Sequence, residues 1–91
     1  ELKVHQIGWN QIHPVSETPL FRGIPDGSFV YFVHSYYVKP ADPGIVACTT
    51  DYGFEYCSGI AKGQTVAVQF HPEKSGKVGL IILKNFAEFK S

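Results

Sequence analysis

The apolar residues of this chain change their spacing once, at the stretch QFHPEKSG, Gln69 to Gly76. Upstream they come in short runs of β-favouring types separated by glycine and proline. Downstream, Gly79, Ile82, Leu83, Phe86 and Phe89 fall three and four apart, which is the stripe of one helix. Leu80 and Ile81 widen that stripe, which predicts a helix covered on more than one side. Ser75 stands where a helix N-cap belongs, its hydroxyl available to an orphan N–H of the first turn. The pattern predicts an α/β chain: a mixed sheet of four to six strands, mostly β, closed by a C-terminal helix.

The strands follow from the punctuation. Leu2 to Ile7 forms a short strand that Gly8 interrupts, and Ile12 to Val15 extends the pairing with Pro14 at an edge or bend. ETPLFRGIPDGS is a connection in which Leu20-Phe21 packs as one short turn. SFVYFVHSYYV, beginning at Ser28, is apolar on consecutive positions, which predicts an interior strand covered on both faces. KPADPG ends it. IVACTTDYG and FEYCSGIAKG follow as strands, and a hairpin at Lys62-Gly63-Gln64 delivers TVAVQF, again read as two-sided and buried.

The totals exclude several function classes. The chain has 91 residues, enough for one small domain at most, with 44% apolar and 18% charged residues, a globular composition. Lys and Arg number 8, as do Asp and Glu, so no net charge draws the chain to nucleic acid or an anionic membrane. No stretch reads as a membrane span or a signal peptide. Cys48 and Cys57 make no disulfide framework, so a reduced, cytoplasmic setting is expected. Methionine is absent even at position 1, which leads to the expectation that residue 1 lies inside a longer polypeptide.

Candidate chemistry centres on His71-Pro72-Glu73. Two positions apart, the glutamate is within reach of the histidine Nδ1–H, which leaves Nε2 as a base. The other reading is an ordinary surface turn. Neither Cys48 nor Cys57 stands on a glycine-flanked strand-to-helix turn, so both read as small buried hydrophobes and no nucleophile is visible. The histidines at 5, 13, 34 and 71 lack metal-ligand spacing, so no metal site is expected. GWNQ is either a core tryptophan or a surface feature at a strand end. HSYY either lines a pocket or merely ends its strand in water.

Taken in order, GWNQ, YFVHSYY, TTDYG and QFHPEKSG…GLIILKNF resemble the C-terminal half of the class I (triad) glutamine amidotransferases, over almost all of the chain. His-Pro-Glu is shared across that superfamily. HPEKS, YFVHSYY and GWN are narrower and resemble the branch whose glutaminase feeds a (β/α)8-barrel cyclase subunit in histidine biosynthesis. The resemblance implies an α/β/α fold and no cofactor. It implies a reaction in which a cysteine attacks the glutamine amide, ammonia leaves, and water releases glutamate from a thioester. His71 and Glu73 match the triad histidine and glutamate. Ser35 and Tyr36 match the segment holding the glutamine α-amino acid moiety, and Trp9, Asn10 and Lys74 match the contact with the cyclase, at the mouth of the ammonia route. The family's Gly-x-Cys-x-Gly elbow and oxyanion strand-loop are not in this sequence. Residues 1–91 are therefore expected to be half of a domain and inactive on their own toward glutamine. His5 stands where the family usually has proline and is given no catalytic role. Glutaminases of anthranilate, aminodeoxychorismate or GMP synthases, and a non-enzymatic interaction module, are the alternatives.

Overall fold

The structure is a computed structural model that describes residues 2–16, 18–37, 39–63 and 65–90, with the side chains of residues 2–5, 34–37, 89 and 90 outside the description. Strand β1 spans Leu2–Pro14, β2 Ser28–Tyr37, β3 Val46–Asp51, β4 Glu55–Lys62 and β5 Thr65–Val68; helix α1 spans Gly76–Lys90. The five strands lie in the order β2-β1-β3-β4-β5. Every described pairing is antiparallel.

β1 is one strand where two segments were expected. Gly8 does not interrupt it: at φ 126°, a value open to glycine, it stays paired with Phe32. The irregularity falls instead between Lys3 and Gln6. The strand serves two partners, β2 up to Ile12 and β3 at His13 and Pro14. Pro14 has no N–H to give, and Val15 resumes the bonding by donating to the Ala47 carbonyl at 2.9 Å.

The expectation that β2 is covered on both faces is overturned. It is an edge strand, and its residues alternate: Val30 and Phe32 are fully buried while Phe29 and Val33 are 55% and 41% exposed. One helix covers one face of a sheet, so every second residue of an unbroken apolar run faces outward. β5 is also an edge. Val66 and Val68 are half-buried and Ala67 is exposed, so TVAVQF is not buried on two sides. The strand ends at Val68, and Phe70 packs edge-to-face on Phe32 with ring centroids 5.8 Å apart.

α1 buries a narrower stripe than its sequence suggests. Gly79, Ile82 and Asn85 are buried, Val78 and Ile81 are half-buried beside them, and Leu80 is 67% exposed. Leu83 and Phe86 sit at the margin. The helix is thus covered on one side among the described residues. Asn85, not foreseen in the core, donates from Nδ2 to the carbonyls of Leu20 at 3.0 Å and Arg22 at 2.8 Å. It bolts the helix to the short 3-10 turn Pro19–Phe21, whose Leu20 and Phe21 are buried as expected. Buried Ile12, Val30, Phe32, Phe70 and Ile82 join one core cluster. Each such side chain contributes about 1.5–3 kcal/mol through removal from water.

The start of α1 presses on the turn before it. A Cβ built on Gly79 overlaps the carbonyl oxygen of Pro72, a backbone atom that has no side-chain freedom to withdraw. Gly79→Ala is expected to destabilise the fold by about 1–3 kcal/mol, the usual range for overpacking. Denaturant unfolding of the two proteins measures it, and equal midpoints would show that the helix can lift away without loss.

Candidate active site

The chain leaves β5 as a strand and enters α1 as a helix, and residues 71–75 make the transition. Pro72 opens a 3-10 turn, Pro72–Lys74, where its missing N–H costs nothing. The turn closes through Lys74 N–H to His71 O and Ser75 N–H to Pro72 O, both at 3.0 Å. This tight reversal brings positions 71 and 73 together: His71 Nδ1 lies 2.9 Å from Glu73 Oε2.

The turn is held to β2 at one residue. His71 N–H donates to the Tyr31 carbonyl at 2.9 Å. Tyr31 N–H donates to Ser75 Oγ at 2.9 Å, and that hydroxyl donates to the His71 carbonyl at 2.6 Å. Ser75 therefore does more than an N-cap. It occupies the cap position, with its carbonyl accepting from Gly79 N–H, but its side chain spends its donor and an acceptor on the sheet and on His71.

The Glu73 carboxyl sets the direction of this contact. The Glu73 carboxyl is held below the usual carboxylate range, first by its own backbone N–H and then by the His71 side chain. An ionised carboxylate only accepts, so the proton of this bond sits on Nδ1, and whenever the ring is neutral Nε2 carries its lone pair. Both side chains are accessible, His71 at 39% and Glu73 at 57%. His13 Nδ1 and Asp26 Oδ1 form a second imidazole–carboxylate contact, also at 2.9 Å. That one clasps the turn before β2, where Gln11 Nε2 also donates to the Gly27 carbonyl at 3.0 Å. Such a pair alone does not define a site; what distinguishes His71 is its place between β5 and α1, with its backbone bonded to β2.

The other sequence candidates fall around this point unevenly. Lys74 is exposed in the same turn. Trp9, 55% exposed, meets Tyr31 edge-to-face at 5.7 Å, so it adjoins the residue that anchors His71. It is a surface residue and not a core tryptophan. Asn10 is half-buried and crosses to the end of β3, its Nδ2 donating to the Asp51 carbonyl at 2.8 Å. Ser35 and Tyr36 continue β2 beyond Tyr31, and their side chains, like those of His5 and His34, lie outside the described residues. Tyr31 went without a role in the sequence although it stands in a quoted motif; the only signal was the polar hydroxyl of Ser75, read as local.

Neither cysteine is built as a nucleophile. Cys48 is fully buried, its Sγ 3.3 Å from Ser58 Oγ, and burial pushes its thiol up to about 12. Thr50 donates to the same Ser58 hydroxyl at 2.8 Å, which makes an interior polar chain. Cys57 is half-buried, bonded to the Gly59 carbonyl, and also raised by burial. Among the described residues no cluster of His, Cys, Asp and Glu could hold a metal ion.

Comparison with known proteins agrees with this architecture. Residues 1–88 match the family Glutamine amidotransferase class-I, and the chain belongs to that family. At higher resolution, the chain is 55% identical over 85 residues to the imidazole glycerol phosphate synthase subunit HisH of Dehalococcoides mccartyi, covering 93% of this chain and 42% of the relative. It is 57% identical over 90 residues to the subunit of that name from Methanosarcina mazei, covering 97% and 44%. With that of Geobacter sulfurreducens the figures are 54% over 90 residues, 99% and 43%. The chain thus spans less than half the length of the curated relatives it matches.

Two outcomes follow from the electrostatics. The lowered Glu73 carboxyl binds a proton less readily folded than unfolded. Its contribution to stability is therefore full above the unfolded glutamate value, about 4.3, and is lost as pH falls through the folded value. The stability difference between wild type and Glu73→Gln should shrink from pH 7 to pH 3 in denaturant titrations; a constant difference would contradict the pairing. Cys48 should resist iodoacetamide at neutral pH until the protein unfolds, as read by peptide mass spectrometry. Rapid native labelling would contradict its burial.

Proposed function

We propose that this chain carries the acid–base half of a glutaminase, and that it supplies ammonia to a (β/α)8-barrel cyclase subunit in histidine biosynthesis. The observation that supports it most is the 2.9 Å contact of His71 Nδ1 with Glu73, on a turn tied to β2 directly through the His71 N–H and, at the His71 carbonyl, through Ser75 Oγ. The names of the relatives support the choice of branch.

In this reading the nucleophilic cysteine comes from a segment outside these 91 residues, the other half of the same domain, which completes the α/β/α fold. His71 Nε2 takes the thiol proton, and the thiolate attacks the glutamine side-chain carbonyl. The tetrahedral adduct collapses as His71 returns the proton to the leaving nitrogen, so ammonia departs and a thioester remains. His71 then takes a proton from water, hydroxide attacks the thioester carbonyl, and the proton returns to sulfur as glutamate leaves. Glu73 holds the ring in the Nδ1–H tautomer and stabilises the imidazolium formed in each half.

Ser35 and Tyr36 hold the α-amino acid end of glutamine. Trp9, Asn10 and Lys74 face the cyclase in a cytoplasmic heterodimer, and the ammonia passes through a closed channel into the lyase reaction. Ammonia released into bulk water would be protonated and lost as a nucleophile, so a partner that consumes it in place suits the chemistry.

Ammonia release from glutamine by the native polypeptide with its cyclase tests the reading. His71→Asn should lower kcat by about 100- to 10,000-fold, the usual worth of a general base. Cys48→Ser and Cys57→Ser should leave it near wild type. Activity abolished by either cysteine change and retained in His71→Asn would contradict the assignment.

A further inference from the structure

The His71 ring is too accessible to be held by packing, so its direction depends on Glu73 and on the backbone beneath it. That backbone is tied to a single residue of β2 from two sides. The His71 N–H bonds the Tyr31 carbonyl directly, and the His71 carbonyl reaches the Tyr31 N–H through one oxygen, Ser75 Oγ. Ser75 is 2% exposed, so water does not replace that oxygen without opening the helix start. The remaining acceptor bond to the His71 carbonyl comes from Lys74 N–H, within the turn itself, and does not locate the turn against the sheet.

We infer that Ser75 is a positioning residue for His71, its buried hydroxyl fixing the His71 backbone against Tyr31 so that Nδ1 meets Glu73 and Nε2 is directed as a base. The catalytic consequence rests on the function proposed above; the geometric one does not. With the hydroxyl gone, one of the two ties to β2 is lost and the Tyr31 N–H is left without this acceptor. The imidazole then shifts relative to the strand, and the Nδ1–H tautomer loses its preference.

The test is nitrogen-15 NMR of the His71 side chain in the native polypeptide, alongside glutamine turnover. Wild type should show the Nδ1–H tautomer. Ser75→Ala should shift the population toward Nε2–H and lower kcat about 10- to 100-fold with KM little changed, the scale of a small misplacement of a reacting group. Ser75→Thr, which keeps a hydroxyl on the same carbon, should restore both readings. Asn85→Ala removes two hydrogen bonds from the same helix to the Leu20–Arg22 backbone and should keep the wild-type tautomer. A wild-type tautomer in Ser75→Ala, or an equal loss in Asn85→Ala, would overturn the inference, the second by showing that any weakening of α1 has this effect. If Ser75→Ala does not fold, Ser75→Cys gives the same reading with a weaker donor. A wild-type protein that releases no ammonia would defeat the proposed function, while the tautomer still decides the role of Ser75.

Discussion

The attachment of residue 71 to Tyr31 is the constraint on which the arrangement depends. The strand that ends at Val68 lies at one edge of the sheet and β2 at the other, yet the chain returns from the first to the second within a few residues. The sheet must curl for that return, and Phe70 packed on Phe32 fills the interior it makes. Once His71 and Ser75 are bonded to Tyr31, the direction of α1 is set. Its Gly79 then lies against Pro72, and its Asn85 reaches the carbonyls of Leu20 and Arg22. The bonds are individually modest, about 1 kcal/mol each. Their value lies in joining the two sheet edges and the helix at one point.

The same point concentrates the chemistry. A histidine and a glutamate two residues apart are brought near each other by the turn alone, but the alignment of their contact, and what the ring faces, depend on how the turn is held. The backbone bonds to β2 hold it. They also place Trp9 next to the anchor, through its edge-to-face contact with Tyr31. The two thiols follow the opposite logic: Cys48 is embedded with Ser58 and Thr50 in an interior polar chain, and burial raises both cysteines. The site proposed above, with a base here and its nucleophile elsewhere, suits a chain that spans less than half the length of its relatives.

Much of this was legible in the order of residues. The connections between strands fell at glycines and prolines, although Gly8 stayed inside β1, and Lys62-Gly63 did produce a hairpin. The period change after Gln69 did mark the passage to a helix. What failed was coverage. In Phe29 to Val33 every residue is apolar, so nothing in the run distinguishes a strand buried on two faces from an edge strand whose second face is open. Leu80 was misjudged for the same reason. Asn85 and Ser75 were hard to place because their partners, the Leu20–Arg22 and Tyr31 backbones, lie more than 40 residues away. A hydroxyl in front of a helix is read as a local cap unless the distant strand is known. That His71 and Glu73 come near each other was readable because they are neighbours in a turn; the catalytic role proposed for them came from resemblance, since His13 and Asp26 show the same contact in a structural clasp.

The central claim is that His71 and Glu73 serve a nucleophile that neither Cys48 nor Cys57 provides. Inactivation of the native polypeptide with a glutamine-analogue diazoketone, followed by peptide mass spectrometry, tests it most directly. The account predicts one modified cysteine, outside these 91 residues, and no modification when His71 is replaced by asparagine. A label on Cys48 or Cys57, or none in the wild-type protein, would contradict it.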